Sequence, residues 1–469
     1  MRLHGPQLMI HKSYFFCGIG GSGMMPLALI LKGHGHNVAG SDRSLDQGRT
    51  APKFDWLRAR GIGLFAQDGS GVVNADQIIV ASTAVEDSVA DIIAADAIGA
   101  VRMTRAELLA EQFNASVQGI AVGGTSGKST VTGMIGWIFH SLGHNPTVMN
   151  GAVMNNFVTP DTPFASALVG NGAAFISEVD ESDGSIALYT PDIAVLNNIA
   201  LDHKSMAELR RLFAAFIACA RVAVLNLDNV EVAALALTGT AKSTITYSLE
   251  GKPADLSATA VVERPDGIMF KLKGHDVQLQ VPGRHNAANA LAAIAAAQAA
   301  GIALVDAVEA LRGFIGLRRR LEVIGCVNDI TVIDDFGHNP DKIAATLRTL
   351  HAFPGRLLIL FQPHGYGPLR QMGAELITTF LAHMTPLDHL FMPDPVYFGG
   401  TVDRTKGSEM ITAGVTAGGR TAHYVPTRAA CGDQLIALAQ AGDRIIIMGA
   451  RDDTLSGFAR DLLAQIATG

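Results

Sequence analysis

The chain has 469 residues, of which 48% are hydrophobic and 17% are charged, enough for about two to four packed domains. Its net charge of -7 argues against a nucleic-acid partner, because phosphate backbones call for clustered Lys and Arg. The four cysteines form no CxxC pair, so they indicate neither a zinc ribbon nor a disulfide framework and favour a reducing cytoplasm.

Short apolar runs alternate with helical patterns from the N-terminus onward. SYFFCGIG (13–20) and NVAGSD (37–42) are typical of strands on either side of a helix in MMPLALILKGHG (24–35). A strand in QIIVAST (77–83) and a helix in RAELLAEQF (105–113) follow. This alternation predicts βαβ units and a parallel sheet.

The strand–turn–helix pattern begins again at residues 116 and 328, which predicts an α/β protein with domains 1–115, 116–316 and 317–469. Residues 258–283 alternate around a PDG turn and predict antiparallel strands. The alanine-rich residues 290–314 contain polar interruptions and predict two packed helices instead of a membrane span. We therefore expect a soluble, cytoplasmic protein that is a monomer or a homodimer.

The segment GGTSGKSTVTGM (123–134) has the composition of a phosphate-binding loop. Gly124 and Gly127 allow a tight turn whose N–H groups bind an anion, Lys128 can reach the outer phosphates, and the Ser129 hydroxyl can ligate Mg²⁺. The usual spacing places a glycine where this chain has Val122. A glycine-rich turn with a chance lysine is the alternative.

An earlier loop, GIGGSGM (18–24), has the GxGxxG spacing that lets backbone approach a pyrophosphate. Asp42, at the end of the next strand, can accept a ribose hydroxyl or act as a plain turn residue. By itself this loop is a weak indication of NAD or FAD binding, as in a dehydrogenase.

The segment SEVDESDGS (177–185) places Glu178, Asp180, Glu181 and Asp183 at a strand end. Charges this dense repel one another unless a cation such as Mg²⁺ lies among them. A solvated acidic loop is the alternative. His203, beside Asp202, follows the next strand and is either a metal ligand or a structural histidine.

The shortened form Gly-Thr-x-Gly-Lys-Ser resembles the phosphate loop of the Mur ligase family, three-domain enzymes that join amino acids to a UDP-sugar. GSD (40–42), ASTAV (81–85) and RAELLAE (105–111) resemble the subgroup of alanine-adding and murein-peptide ligases. The resemblance covers nearly the whole chain. It implies a Rossmann-like UDP-binding domain, a central P-loop ATPase-like domain and a C-terminal Rossmann-like domain.

The resemblance also implies two ligand sites and a metal. ATP would contact Gly124, Thr125, Ser126, Gly127, Lys128, Ser129, Thr130, His285, Asn286, Asn289 and Asp335. The UDP-sugar would contact Gly18, Gly20, Gly21, Ser22, Gly23, Met24, Asp42 and Ser82. Mg²⁺ would be held by Ser129, Glu178 and His203. Asn286 has a competing interpretation as a helix cap.

The C-terminal third carries further resemblances. In GLRRRLEVIG (316–325), Arg319 or Arg320 would neutralise phosphate charge, and we assign Arg320 to catalysis. A surface basic patch is the alternative. VIDDFGHNPDKI (332–343) implies that His338 faces the reaction centre with Lys128, Glu178 and His203. Asn339 replaces the second histidine that is usual in the alanine-adding enzymes.

FQPHGYGPLRQM (361–372) departs from the family pattern, because Gly365 and Pro368 stand where the alanine ligases have arginines. Arginines suit carboxylate binding because they donate two parallel hydrogen bonds. The acceptor residues that remain are His364, Tyr366 and Arg370, and Arg404 is a further possibility.

The resemblance implies ATP-dependent amide formation between the carboxylate of UDP-N-acetylmuramate and a small amino acid, with L-alanine as the expected one, in peptidoglycan precursor synthesis. A ligase with another acceptor, such as a murein peptide, is one alternative. A nucleotide-sugar-binding protein without catalysis is another, which the presence of Lys128, Ser129, Glu178 and His203 opposes.

Overall fold

The computed structural model describes residues 11–83, 85–201, 204–239, 241–396, 407–450, 452 and 454–468. In this part of the chain, parallel sheets alternate with helices, which confirms the predicted α/β class. The chain divides into two compact units. The first comprises Met1–Ala260, Phe270–Val277 and Ala288–Phe314, and the second comprises Val261–Met269, Gln278–Ala287 and Ile315–Gly469.

The first sheet has the strand order β3-β2-β1-β4-β5, and its described strands are parallel. Its strands are β1 (Ser13–Cys17), β2 (Asn37–Ser41), β3 (Gly63–Phe65), β4 (Gln77–Ala81) and β5 (Arg102–Thr104). Its helices are α1 (Met24–Gly33), α2 (Arg43–Asp46), α3 (Ala51–Ala59), α4 (Ala90–Ile98) and α5 (Arg105–Asn114). The strand order reverses between β1 and β4, where doubly wound sheets bind ligands at their carboxyl ends.

The second sheet has the order β15-β14-β13-β12-β11-β10-β6-β9-β7-β8. Its strands are β6 (Gln118–Gly123), β7 (Thr147–Met149), β8 (Ala167–Leu168), β9 (Ala174–Glu178), β10 (Ile193–Leu196), β11 (Val222–Asn226), β12 (Thr244–Ser248), β13 (Leu256–Arg264), β14 (Gly267–Leu272) and β15 (His275–Leu279). The helices are α6 (Lys128–Ser141), α7 (Met206–Cys219), α8 (Val230–Leu237), α9 (Arg284–Ala299) and α10 (Leu304–Leu311).

The centre of this second sheet is apolar on both faces. The side chains of Ile120, Ala121 and Val122 on β6, and those of the whole of β10, are fully buried. Strands β9 and β10 flank β6 in parallel, so the three strands end at the same edge of the sheet. That edge carries the loop before α6, the acidic segment after β9 and the two asparagines after β10.

The third sheet has the order β16-β17-β21-β18-β19-β20, and only β16 is antiparallel to its neighbour among the described strands. The strands are β16 (Glu322–Val327), β17 (Ile330–Asp335), β18 (Leu357–Gln362), β19 (His389–Met392), β20 (Thr421–Tyr424) and β21 (Arg444–Gly449). The helices are α11 (Pro340–His351), α12 (Tyr366–His383), α13 (Ser408–Ala417), α14 (Arg428–Leu438) and α15 (Leu455–Thr468). The carboxyl ends of β17, β21 and β18 are adjacent in this sheet.

The alanine-rich segment folds as predicted, because α9 ends at Ala299 and α10 begins at Leu304. No helix in the described ranges combines the length and the apolar character that a membrane crossing requires.

Candidate active site

The loop between β6 and α6 needs glycine at two positions. Gly124 and Gly127 have φ of 131° and 83°, which side-chain-bearing residues rarely adopt. A Cβ on Gly127 would lie 2.5 Å from Asn197 Nδ2 and 2.7 Å from Asn289 Oδ1. The backbone therefore turns tightly against these two amides, as a phosphate-binding loop requires.

Asn198, after β10, holds the outer part of this loop. Its Oδ1 accepts hydrogen bonds from Thr125 Oγ1 at 2.9 Å and from the Ser126 N–H at 2.8 Å. Asn197 Nδ2 donates to Asn289 Oδ1 at 2.9 Å, which connects the loop to α9. The sequence patterns did not predict this supporting role of Asn197 and Asn198.

The first two residues of α6 each contact a carboxylate of the acidic segment. Lys128 Nζ donates to Glu181 Oε2 at 2.8 Å, and Ser129 Oγ donates to Glu178 Oε2 at 2.9 Å. The other Glu178 oxygen accepts the Gly151 N–H. Burial raises the pKa of Glu181, and the attraction of Lys128 opposes that rise. The structure thus brings the predicted Lys128, Ser129 and Glu178 together.

The remaining carboxylates of the acidic segment bond to their own loop. Asp180 Oδ1 accepts the Ser182 N–H and Asp183 Oδ1 accepts the Ser185 N–H, at 2.9 and 2.8 Å. Each carboxylate of the acidic segment therefore has a hydrogen-bond donor from the protein. The described residues contain no group of three or more His, Cys, Asp and Glu side chains suited to a metal. The predicted ligand His203 lies outside the described residues.

The N-terminal glycine loop is held by Asp42, which both caps α2 and bonds to the loop. Asp42 Oδ2 accepts the Gly20 N–H, and Oδ1 accepts the Ser44 N–H, both at 2.8 Å. A cavity of about 310 Å³ opens beside the loop, and Gly18, Asp42 and Gln67 contribute to its lining. Val85 and Val89 also line it, so the cavity combines polar and apolar side chains.

The other residues predicted to contact the UDP-sugar differ in how accessible their side chains are. Met24 is 4% exposed and its side chain packs in the hydrophobic core, which leaves little of that side chain accessible to a ligand. The carbonyl of Gly21 accepts the Met24 N–H. The carbonyl of Ser82 accepts the Val85 N–H. The cavity lining also includes Arg43 and Glu86, which sequence reasoning missed because neither belongs to a glycine or strand-end motif.

In the second unit, Arg319 is part of a buried network. Its Nε lies 3.2 Å from Asp334 Oδ1, and its Nη1 and Nη2 donate to the carbonyls of Asp452 and Gly449. The Arg319 and Asp334 side chains are 9% and 0% exposed. The neighbouring Arg320 lies with its guanidinium 4.6 Å from the Phe336 ring centroid. The two arginines therefore have different surroundings. Arg319 is held by buried acceptors and has a structural role, whereas the guanidinium of Arg320 packs against an aromatic ring.

Asp335 also has local partners. Its carboxylate accepts the N–H groups of Leu321 and Gly337 and the Thr346 hydroxyl, each at 2.9 Å. Asp335 therefore fixes the start of the loop that carries His338. Near the start of α9, Asn286 Nδ2 donates to the Pro282 carbonyl at 2.7 Å, as a turn-stabilising residue does.

His338 lies on this loop and is partly buried. Its Nδ1 is 2.9 Å from the Phe336 carbonyl, which makes Nδ1 the protonated nitrogen and leaves Nε2 as an acceptor. Its ring contacts that of His364 edge-on, with centroids 5.5 Å apart. Burial, and then the positive charge of Lys342, lower the pKa of His338 to about 3. The predicted acceptor residue His364 and the predicted catalytic His338 are thus neighbours.

This pKa predicts a contribution of His338 to the pH dependence of stability. Below pH about 6.5 the unfolded chain takes up the proton first, so stability falls as the pH drops toward 3. We expect thermal unfolding to show a shallower loss of Tm between pH 7 and 5 in His338→Asn than in the wild type. Equal slopes in the two proteins would contradict the buried, neutral imidazole.

The departure at the acceptor segment alters the backbone as well as the charge. Gly365 has φ 152° and precedes α12, in a conformation that an arginine would adopt only with strain. Pro368 lies in the first turn of α12, where the helix does not need its N–H. Tyr366 is the first residue of that helix, and Arg370 is exposed. Where the alanine ligases have two arginines, this chain has a glycine and a proline that shape the start of α12.

Family comparisons match three parts of the chain. Residues 13–116 match the Mur ligase family catalytic domain, residues 122–297 the Mur ligase middle domain, and residues 319–451 the Mur ligase glutamate ligase domain. UDP-N-acetylmuramate–L-alanine ligases from Agrobacterium fabrum and Geobacter sulfurreducens are 33% and 34% identical to this chain. The alignments cover 94% of both chains in the first case, and 95% of this chain and 96% of the relative in the second.

Solved structures show the same fold. The UDP-N-acetylmuramate-alanine ligase MurC of Thermotoga maritima has a TM-score of 0.78 at 22% identity, covering 98% of this chain and 100% of that one. A murein peptide ligase from Psychrobacter arcticus has a TM-score of 0.69 at 24% identity, covering 98% and 99%. At these identities the structural likeness supports the fold alone.

Proposed function

Because this chain belongs to the Mur ligase family, we propose that it joins the carboxylate of UDP-N-acetylmuramate to L-alanine at the expense of ATP. The observation that carries the proposal is the identity of 33–34% to ligases of that name over nearly the full chain. Peptidoglycan precursor synthesis is the process that such a product serves.

The phosphates of ATP are proposed to bind the loop Gly124–Thr130. The positive φ of Gly124 and Gly127 gives the loop its tight turn. The first N–H groups of α6 have no partner within the helix and can bind an anion, and α6 adds the positive end of its dipole. Lys128, at the start of that helix, carries the charge that stabilises the transferring phosphoryl group. Asn198 keeps the loop in this conformation through Thr125 and Ser126.

The donors beside Lys128 fit Mg²⁺. Ser129 Oγ and Glu178 Oε2 lie 2.9 Å apart and are hard oxygen ligands of the kind that Mg²⁺ prefers. Ser129 and Glu178 would hold the ion, with His203 as the further predicted ligand. When bound, Mg²⁺ supplies positive charge that offsets the repulsion between the phosphates and the attacking carboxylate.

The proposed reaction has two steps. A carboxylate oxygen of the muramate attacks the γ-phosphorus, the bond to the β–γ bridging oxygen breaks, and ADP leaves. The amine of alanine then attacks the acyl carbon, loses a proton, and the C–O bond to phosphate breaks. Lys128 stabilises charge in the first step. His338, whose Nε2 can accept a hydrogen bond, and Arg320 are proposed to assist the second.

The acceptor is proposed to contact His364, Tyr366 and Arg370. His364 lies beside His338, which supports a role near the amine. The altered helix start at Gly365 means that the amino acid carboxylate is held without the two arginines of the alanine ligases. A peptide acceptor is not favoured, because the curated relatives that match at 33–34% identity carry the name of alanine ligases.

The proposal is tested by phosphate release from ATP and magnesium in the presence of UDP-N-acetylmuramate and a panel of amines. We expect L-alanine to stimulate release most strongly among L-alanine, glycine, L-serine and a murein tripeptide. Release that responds to the tripeptide and not to alanine would contradict the acceptor. Absence of release with every amine would contradict the ligase assignment.

A further inference from the structure

Arg105, the first residue of α5, lies directly over the N-terminal glycine loop. From the position that a Cβ on Gly23 would occupy, Arg105 Cδ is 3.0 Å away, Nε 3.2 Å and Cζ 3.4 Å. Glycine at position 23 therefore allows the guanidinium to pack against the loop backbone. No motif in the sequence assigns a function to this arginine.

The guanidinium of Arg105 has no protein acceptor in the described part of the chain. No carboxylate there lies within ion-pair distance of it, and no oxygen accepts a hydrogen bond from it. Arg102, three residues earlier, pairs with both Asp87 and Asp96. A half-buried cation with five N–H donors and no acceptor is suited to an external anion.

The loop itself has donors that complement this cation. Within the described residues, the N–H groups of Ser22 and Gly23 make no hydrogen bond to protein. The cavity lined by Gly18 and Arg43 borders the start of the same loop.

Arg105 is also electrostatically close to the acidic segment of the same unit. Burial pushes the pKa of Asp180 upward, but the hydrogen bonds from Ser182 and the charges of Lys128 and Arg105 hold it below its ordinary value. Arg105 therefore packs against the glycine loop and is close enough to Asp180 for their charges to interact.

We propose that Arg105 binds the diphosphate of the UDP-sugar, donating hydrogen bonds to its oxygens together with the N–H groups of Ser22 and Gly23. The inference rests on the proposed function and names a binding residue for its sugar nucleotide. The planar guanidinium matches phosphate oxygens in a way that a lysine ammonium does not. The uridine then occupies the cavity of about 310 Å³, and the sugar extends toward the acidic segment.

Calorimetric titration of UDP-N-acetylmuramate, UDP and uridine into wild type, Arg105→Ala and Arg105→Lys tests the inference. We expect Arg105→Ala to weaken both diphosphates about 10- to 100-fold, the range of a hydrogen bond to a charged group. Uridine has no phosphate to lose a charged contact, so we expect its affinity for Arg105→Ala to be within about twofold of its affinity for the wild type. Arg105→Lys should be intermediate, because the charge remains but the paired donors are lost.

Asp180→Asn separates diphosphate binding from a purely structural ion pairing. If Arg105 served only to neutralise Asp180, Asp180→Asn would weaken the diphosphates as much as Arg105→Ala, which would overturn the inference. Equal loss of uridine and UDP affinity in Arg105→Ala would overturn it as well. Unchanged UDP affinity in Arg105→Ala would contradict the inference alone, whereas a wild type that binds no uridine nucleotide would contradict the proposed function.

Discussion

Lys128→Ala lowers kcat for phosphate release by about 100- to 1,000-fold, the size expected when a positioned charge is removed from a transition state. The ammonium lies at the first residue of α6 and 2.8 Å from Glu181, so it is already fixed beside the loop that binds the phosphates. Its removal leaves the γ-phosphoryl group without that charge. Glu181, 5% exposed, also loses its counter-ion.

Steady-state phosphate release at saturating ATP and UDP-N-acetylmuramate measures the effect. Lys271→Ala is the matched control. Lys271 on β14 forms an exposed pair with Asp276 on β15, so this variant should retain the wild-type rate. A circular dichroism spectrum like that of the wild type would show that the Lys128→Ala chain is folded. Turnover within a fewfold of wild type in that folded variant would contradict the assigned phosphate site.

Arg319→Met destabilises the protein strongly, by about 3 kcal/mol or more, because it leaves a buried charge without its partner. Asp334 is fully buried and receives Arg319 Nε at 3.2 Å and Ser456 Oγ at 2.6 Å. The arginine also satisfies the carbonyls of Asp452 and Gly449, which are left without these donors in the variant. The network joins the loop after β21 to the end of β17.

Denaturant and thermal unfolding of the full chain measure this loss. Arg210→Met is the control, because Arg210 pairs with Glu231 at the surface through two hydrogen bonds and its loss should leave the midpoint nearly unchanged. An unfolding midpoint in Arg319→Met equal to that of the wild type would show that the buried network contributes little. It would also reopen a role for Arg319 in phosphate binding.

The fold followed from the sequence because buried parallel strands leave a strong pattern. The apolar runs before Gly18 and Gly124 and the glycines themselves indicated two strand–loop–helix units, and the structure has β1 and β6 at these places. Short strands such as β3, β7 and β8 left no comparable signal, since two or three residues carry no periodicity. The two domain boundaries, near residues 116 and 316, stay a prediction.

The candidate site was predictable where chemistry depends on neighbouring residues and was not where it depends on tertiary contacts. Lys128 and Ser129 are adjacent in sequence, and their partners at β9 could be guessed from parallel strand ends. The separation of Arg319 from Arg320 could not, because it depends on Asp334, Gly449 and Asp452. The open guanidinium of Arg105 likewise depends on which carboxylates lie nearby.

The most direct test of the proposed reaction follows oxygen from substrate to product. UDP-N-acetylmuramate labelled with ¹⁸O in its carboxylate is incubated with the protein, ATP, magnesium and L-alanine, and phosphate and nucleotide products are analysed by mass spectrometry. An acyl phosphate predicts one ¹⁸O in each released phosphate and one in the new amide carbonyl. Release of unlabelled phosphate, or recovery of a sugar nucleotide to which no alanine has been joined, would contradict the acyl phosphate mechanism.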